Sequence, residues 1–232
     1  MTRGTAAQME KLQARVIQCR KCPRLVAWRE EVAHRKVRRY RGEDYWGKPL
    51  PGFGDPQARL LLVGLAPAAH GGNRTGRMFT GDRSGDWLYG ALHAFGFANQ
   101  PTSVHREDGL VLRDAYVTAA VRCAPPDNKP MPKEMDTCRP YLVCELGLLE
   151  HVRAVVALGR IGFDSYLRAR QEQGLAVPRP LPRFGHGKAY RLAGGVTLLA
   201  SYHPSQQNTL TGRLTRGMFH AVFRKARRIL QD

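Results

Sequence analysis

Four short apolar runs punctuate an otherwise mixed chain: LLLVG at 60–64, AYVTAAV at 115–121, AVVAL at 154–158 and VTLLAS at 196–201. Each is nearly continuous rather than alternating and is bounded by turn residues, the pattern of a strand buried on both faces. Around them, apolar positions recur at three- and four-residue spacing over 84–97, 132–149, 159–171 and 212–230, which predicts helices. Two further helical patterns, 6–18 and 24–34, precede the first run, and the tract Cys19-Arg-Lys-Cys-Pro23 separates them. Strand–helix alternation of this kind predicts an α/β fold, a three-layer α/β/α sandwich around a mainly parallel, about four-stranded central sheet. A hairpin at Tyr190-Arg-Leu-Ala-Gly-Gly-Val-Thr197 adds an antiparallel partner to the last run. The segment 36–56 reads as irregular, because Gly42, Gly47, Pro49, Pro51, Gly52 and Gly54 break every periodicity. The pattern shows neither an internal repeat nor a low-complexity tract, so residues 1–232 read as one domain, with the helical and cysteine-bearing segment 1–56 packed on it.

In an open α/β sheet ligands bind beyond the carboxyl ends of the strands, so the segments that follow the apolar runs matter most. The first run delivers GLAPAAHGGNRTGRMFTGDRSG over 64–85, and the last delivers SYHPSQQN over 201–208. The first loop is not a nucleotide P-loop, since Gly76 is followed by Arg77-Met78 instead of Lys-Ser/Thr. It is not a hydrolase nucleophile elbow either, because Asp82-Arg83 stand where glycine must precede Ser84. Three side chains in these loops have a plain structural reading beside any chemical one. Asp82 sits just before a helix start and suits local hydrogen bonding there. His203, before a proline, suits a structural hydrogen bond, and Phe79 suits the core.

Charge narrows the class of partner. The 232 residues carry 37 Lys+Arg against 19 Asp+Glu, a formal net charge of +18. Such an excess repels itself and fits a polyanionic partner, nucleic acid above all; a solvated arginine-rich surface is the alternative. Tyr40, Tyr45, Trp46 and Phe53 lie among the basic residues of the irregular segment, which is therefore expected to cover a site or touch nucleic acid. No apolar run approaches the roughly 20 residues that span a bilayer, and 1–13 lacks the apolar core of a signal peptide. The expectation is a cytoplasmic protein, nucleoid-associated in a prokaryote and without membrane contact. Five cysteines in a reducing compartment do not make a disulfide framework. Cys19 and Cys22 form a close pair, whereas Cys123 and Cys138 have 14 residues between them. Four thiolates hold either zinc or an iron–sulfur cluster; unrelated reduced thiols are the remaining reading.

The two long loops together resemble the signature motifs of the uracil-DNA glycosylase superfamily, and the GLAPA form followed by NRTGRMFTGD resembles its family 5. The resemblance runs from the first cysteine pair to the final helix. It implies hydrolysis of the N-glycosidic bond of uracil in DNA, after the nucleotide is flipped from the duplex, with an abasic site left behind. Hypoxanthine and other deaminated bases are included, since Ala68 stands where strictly uracil-specific relatives carry a tyrosine. The same likeness implies Phe79 as the stacking residue, beside Gly64 and Ala66. It makes His203 the donor to the base carbonyl as charge develops, and Asp82 the group that orients or deprotonates the attacking water. Asn128, in Pro125-Pro-Asp-Asn128, stands in for the asparagine that many relatives place in the second strand, where this chain has Thr118-Ala-Ala120. As a bare sequence feature it is equally a turn asparagine.

For the second loop the resemblance implies entry into the minor groove. Ser205, Gln206, Gln207 and Asn208 lie against the DNA there, and Arg213 meets phosphate. It further implies a [4Fe–4S] cluster on Cys19, Cys22, Cys123 and Cys138, with Cys144 a spare, buried thiol and the protein a monomer. Ala66 and Ala119 replace two polar groups of the wider superfamily. That leaves a rival reading, an iron–sulfur protein on the same scaffold that binds nucleic acid without catalysis.

Overall fold

The computed structural model describes residues 3–231, and side chains from residue 5 to 231; Met1, Thr2 and Asp232, which the single-domain expectation includes, lie outside the described residues. Helices α1 (Arg3–Ile17) and α2 (Pro23–Arg35) open the chain. They are followed by β1 (Phe53–Gly54), β2 (Leu60–Gly64), the short α3 (Gly72–Thr75) and α4 (Arg83–Ala94). Then come β3 (Ala115–Ala119), α5 (Pro132–Leu148), β4 (Ala154–Leu158) and α6 (Arg160–Glu172), and the chain ends with β5 (Ala189–Arg191), β6 (Thr197–Ser201), α7 (Gln206–Leu210) and α8 (Arg216–Ile229).

Among the described residues the sheet has six strands in the order β1-β3-β2-β4-β6-β5. Its four central strands are parallel, with Leu62 opposite both Val117 and Val156, and Val156 opposite Leu199. These are the four apolar runs of the sequence. The expected count of about four falls short by two antiparallel edge strands. One of them, β5, comes from the expected hairpin. The other, β1, is two residues long and lies inside the Gly/Pro-rich segment read as irregular, too short to leave a period.

Side chains alternate across the strands, as the pleat requires. Leu60 and Leu62 of β2 face a core built with Trp87, Leu88 and Leu92 of α4 and Phe219, Val222 and Phe223 of α8. Leu61 and Val63 face the opposite core, built with Met9, Leu12 and Val16 of α1, Leu142 of α5 and Phe163 and Tyr166 of α6. Helices cover both faces, which makes the three layers. Both faces of the central strands are buried, and continuous apolar runs are the sequence consequence.

The order of the strands positions the site. From β2 the chain moves to its neighbour β3 on one side, then returns through α5 to β4 on the other side of β2. That reversal opens a crevice beyond the carboxyl end of β2, where the long 65–82 loop emerges. Among the described residues no helix is long and apolar enough to cross a membrane.

Candidate active site

The loop leaving β2 folds back on itself through α3, whose four residues are all buried. It returns at Asp82, which is the N-cap of α4. Asp82 Oδ1 accepts a hydrogen bond from Gly85 N at 3.0 Å, satisfying one of the free donors at a helix start. Its second oxygen lies against Gly71, where a β-carbon would stand 2.2 Å from Oδ2. Only glycine leaves that oxygen its place. Burial raises the carboxyl above its ordinary range, the Gly85 and Ser84 backbone N–H groups oppose the shift, Asp86 adds to it, and the Arg74 guanidinium lowers it.

Phe79 sits earlier in the same loop with a left-handed backbone, φ 52°. Its ring is buried and rests on the end of β2, where a β-carbon at Gly64 would meet its Cζ at 2.6 Å. Another neighbour is His203, from the loop after β6: the two rings stack with centroids 5.8 Å apart and an interplanar angle of 28°. Burial lowers the His203 imidazole to about 4, so it is neutral at physiological pH. Its backbone is pinned by Asn208, whose Nδ2 donates to the His203 carbonyl at 2.9 Å. The segment 205–210, read from sequence as loop, contains one short helix. Ser205 caps α7 by accepting from Asn208 N at 3.4 Å.

These pieces meet in one cleft of about 620 Å³, lined by Ala66, Ala68, Phe79, Asp82, Asn128, His203, Ser205, Gln206 and Gln207 among others. Gly64 lies behind Phe79. Asn128 is exposed, on a short 3-10 turn (Pro126–Asn128), with φ 55°. Asn208 and Arg213 lie apart from the main cleft: they line a recess of about 440 Å³ beside His203, together with Tyr202 and Phe184. Arg213 packs on the Tyr202 ring, 4.8 Å from its centroid. A further hollow of about 800 Å³ shares Ala68, Asp82, Asn128 and Gln206 with the main cleft and extends it toward Arg39, Tyr40, His70 and Arg74.

Sequence reading missed Arg39, His70 and Arg74, whereas Tyr40 lies in the segment expected to cover a site. Tyr45 contacts His70, its hydroxyl 3.0 Å from the ring Nδ1, so the irregular segment packs against the loop. Arg74 is buried. An arginine inside a polar, glycine-rich tract carries no sequence sign of burial, since arginine is mostly exposed.

The four predicted cysteines border a single small cavity, with Leu25, Val26, Val121 and Tyr141 around them. Arg29 Nη1 donates to Cys123 Sγ and the Arg122 backbone N to Cys138 Sγ, each at 3.3 Å. Among the described residues no group of three or more His, Cys, Asp or Glu is arranged to hold a metal ion. The chemistry of the donor set is nonetheless that of an iron–sulfur or zinc site: four thiols, an apolar surround and N–H donors on two sulfurs. Cys144 is exposed, which corrects the expected buried thiol. It lies six residues beyond Cys138, and at 3.6 residues per turn that places it away from the buried face of Cys138, Tyr141, Leu142 and Glu145.

Comparison with known proteins agrees with this architecture. The family model described as "Uracil DNA glycosylase superfamily" matches residues 51–229. A "Type-5 uracil-DNA glycosylase" of Thermus thermophilus is 57% identical over 211 residues, covering 91% of this chain and 93% of that protein. Proteins of the same description from Mycobacterium tuberculosis and Pyrobaculum aerophilum are 53% and 47% identical, over 97% and 91% of this chain and 83% and 89% of theirs. A strand-end cleft on an α/β/α sandwich and full-length similarity at this level lead to one assignment: the chain belongs to the uracil-DNA glycosylase superfamily, in its type-5 branch.

Proposed function

We propose that the protein hydrolyses the N-glycosidic bond of uracil in DNA and leaves an abasic site. The observation that carries this reading is the convergence of Asp82, Phe79, Asn128 and His203 on one cleft at the carboxyl end of the parallel sheet. The reaction breaks the bond between C1′ and the base and forms a bond from C1′ to a water oxygen. Positive charge builds on the sugar and negative charge on the departing base. A base flipped from the duplex enters the cleft and lies against the Phe79 ring. The neutral His203 imidazole donates a hydrogen bond to a base carbonyl oxygen, and that bond strengthens as charge collects there. Asp82 Oδ2 orients the water and takes its proton, and the carboxylate charge favours the cationic sugar. Asn128 lies on the rim and binds the base edge or the water.

Ser205, Gln206 and Gln207, at the start of α7, enter the minor groove, while Asn208 holds His203 and Arg213 meets phosphate. Small side chains at Ala66 and Ala68 leave width for a purine, which supports hypoxanthine as a second substrate. Cys19, Cys22, Cys123 and Cys138 would hold a [4Fe–4S] cluster. When bound, the cluster acts as a staple, tying the α1–α2 corner to the loop after β3 across about 100 residues of chain; the hydrolysis moves no electrons. The protein acts as a monomer and as one domain.

The test is base release from labelled duplexes with a single uracil or hypoxanthine, followed by alkali. Wild type should give alkali-dependent cleavage, and Asp82→Ala and His203→Ala should lose it by about 100-fold or more. Tight binding without base release from either duplex would overturn the catalytic reading. Iron and sulfide content of the purified protein, with Cys22→Ser alongside, tests the cluster separately; a colourless wild type without iron would exclude it.

A further inference from the structure

Arg74 is the one charged residue of α3, and it is 7% exposed. Its guanidinium fork grips two backbone carbonyls, Nε donating to His70 O at 2.9 Å and Nη2 to Gly81 O at 3.1 Å. His70 and Gly81 are the residues immediately before Gly71 and Asp82. Arg74 therefore spans the loop at the level where Gly71 abuts Asp82 Oδ2. The guanidinium is itself held from outside. Nη1 pairs with Glu43, and the Tyr40 ring lies 3.9 Å from Cζ. The backbone of Arg74 is tied to the same segment, since its carbonyl accepts from Trp46 N at 2.9 Å. It is also wedged from inside, for a β-carbon at Gly81 would stand 2.4 Å from Nη2.

We infer that Arg74 is a positioning residue for the glycosidic hydrolysis: it clamps the carbonyls of His70 and Gly81 and thereby fixes where Asp82 Oδ2 stands in the cleft. Tyr40 and Glu43 keep the clamp aligned. This rests on the assignment of Asp82 made above. The alternative reading is an ion pair that steadies the 40–47 segment, but exposed pairs contribute little, and this fork is buried and spends two of its donors on the active-site loop. A lysine keeps the charge but not the planar fork, and cannot reproduce both carbonyl bonds at these separations.

The experiment compares single-turnover uracil excision and affinity for an abasic-site duplex in wild type, Arg74→Lys, Asp82→Asn and the double variant. Arg74→Lys should lose about 10- to 100-fold in rate, the scale of a displacement near 1 Å, with duplex affinity within threefold of wild type. In the Asp82→Asn background the same change should cost less than threefold, because the group being positioned is gone. Should Arg74→Lys fail to fold by thermal melt, Tyr40→Leu/Glu43→Gln leaves both carbonyl bonds and should still slow excision at least threefold at unchanged affinity.

A rate within threefold of wild type for folded Arg74→Lys, or an unchanged rate for folded Tyr40→Leu/Glu43→Gln, overturns the inference. So does a rate loss matched by equal loss of affinity, which would make Arg74 a DNA contact. So does a full effect of Arg74→Lys in the Asp82→Asn background. Wild-type excision by Asp82→Asn would instead refute the Asp82 assignment itself.

Discussion

Replacing Gly71 by alanine adds one methyl group at the back of the cleft, where the structure leaves least room. The new β-carbon would stand 2.2 Å from Asp82 Oδ2 and 3.2 Å from the Ala68 β-carbon. Carbon and oxygen do not approach within 3.0 Å, so the carboxylate oxygen must retreat by about 1 Å. The contact with Asp82 Oδ2 makes the local cost of the change steric. The carboxylate is a terminal group that turns about its own bonds, so most of the effect should fall on reactivity. A 1 Å misplacement costs about 100-fold in rate, or roughly 2.7 kcal/mol of transition-state stabilisation. Loss of the Oδ1 cap to Gly85 N would lower stability by about 0.5–2 kcal/mol. Single-turnover excision from a uracil duplex reads the first quantity, urea melts read the second, and affinity for an abasic-site duplex checks that DNA still docks. Excision within threefold of wild type by folded Gly71→Ala, in a protein that Asp82→Ala inactivates, would refute the placement of Oδ2 as the working oxygen.

Three further outcomes follow from the structure of the cleft. Gly64→Ala puts a β-carbon 2.6 Å from Phe79 Cζ at the end of a strand fixed on both sides, so the ring must move. Overpacking of this kind costs about 1–3 kcal/mol, and substrate KM should rise more than kcat falls; unchanged melts and KM would contradict it. The pH profile should show an acidic limb set by Asp82, above the ordinary carboxylate range because burial holds its proton. It should show no histidine step near 6.5, since His203 stays neutral down to about 4. The same shift has a stability sign. The unfolded chain takes up a proton at this histidine near 6.5, whereas the folded chain does so only near 4. Stability therefore falls as pH drops from 6.5 toward 4, by at most about 3 kcal/mol from this group. His203→Gln should flatten that fall; an excision step near 6.5 that disappears in His203→Gln would show the imidazole to be an ordinary one.

The parallel core was legible because burial on both faces leaves continuous apolar runs: 60–64 and 154–158 coincide with β2 and β4 to the residue. What escaped was short or locally disguised. β1 has two residues among glycines and prolines, α3 has four, and α7 lies in a polar tract whose only start signal is the Ser205 cap. Asp82, Phe79, His203 and Asn128 could be named because their motifs resemble a known family, and the fold does bring them to one cleft. Arg74 and His70 could not, and for Tyr40 and Tyr45 only the covering role of their segment was legible, not the residues they meet. Their contacts join residues 40–46 to residues 70–81, and no periodicity within either segment encodes a pairing across that distance.

Asp82 also shows why its structural and chemical readings are not rivals. One oxygen caps α4 through Gly85 N, and the other stands against Gly71 on the cleft side. The cap fixes the carboxylate at both its backbone and its side chain, and that fixity is what a water-orienting group needs. It also separates the two contributions by experiment. Asparagine caps helices as well as aspartate does, so Asp82→Asn should melt like wild type while losing the base and the charge. Asp82→Ala loses the cap too, and should melt lower by about 1 kcal/mol with little further loss of excision. If instead Asp82→Asn retained excision and only Asp82→Ala lost it, the carboxylate would be a helix cap and nothing more, and the proton acceptor would have to be sought across the cleft at His203.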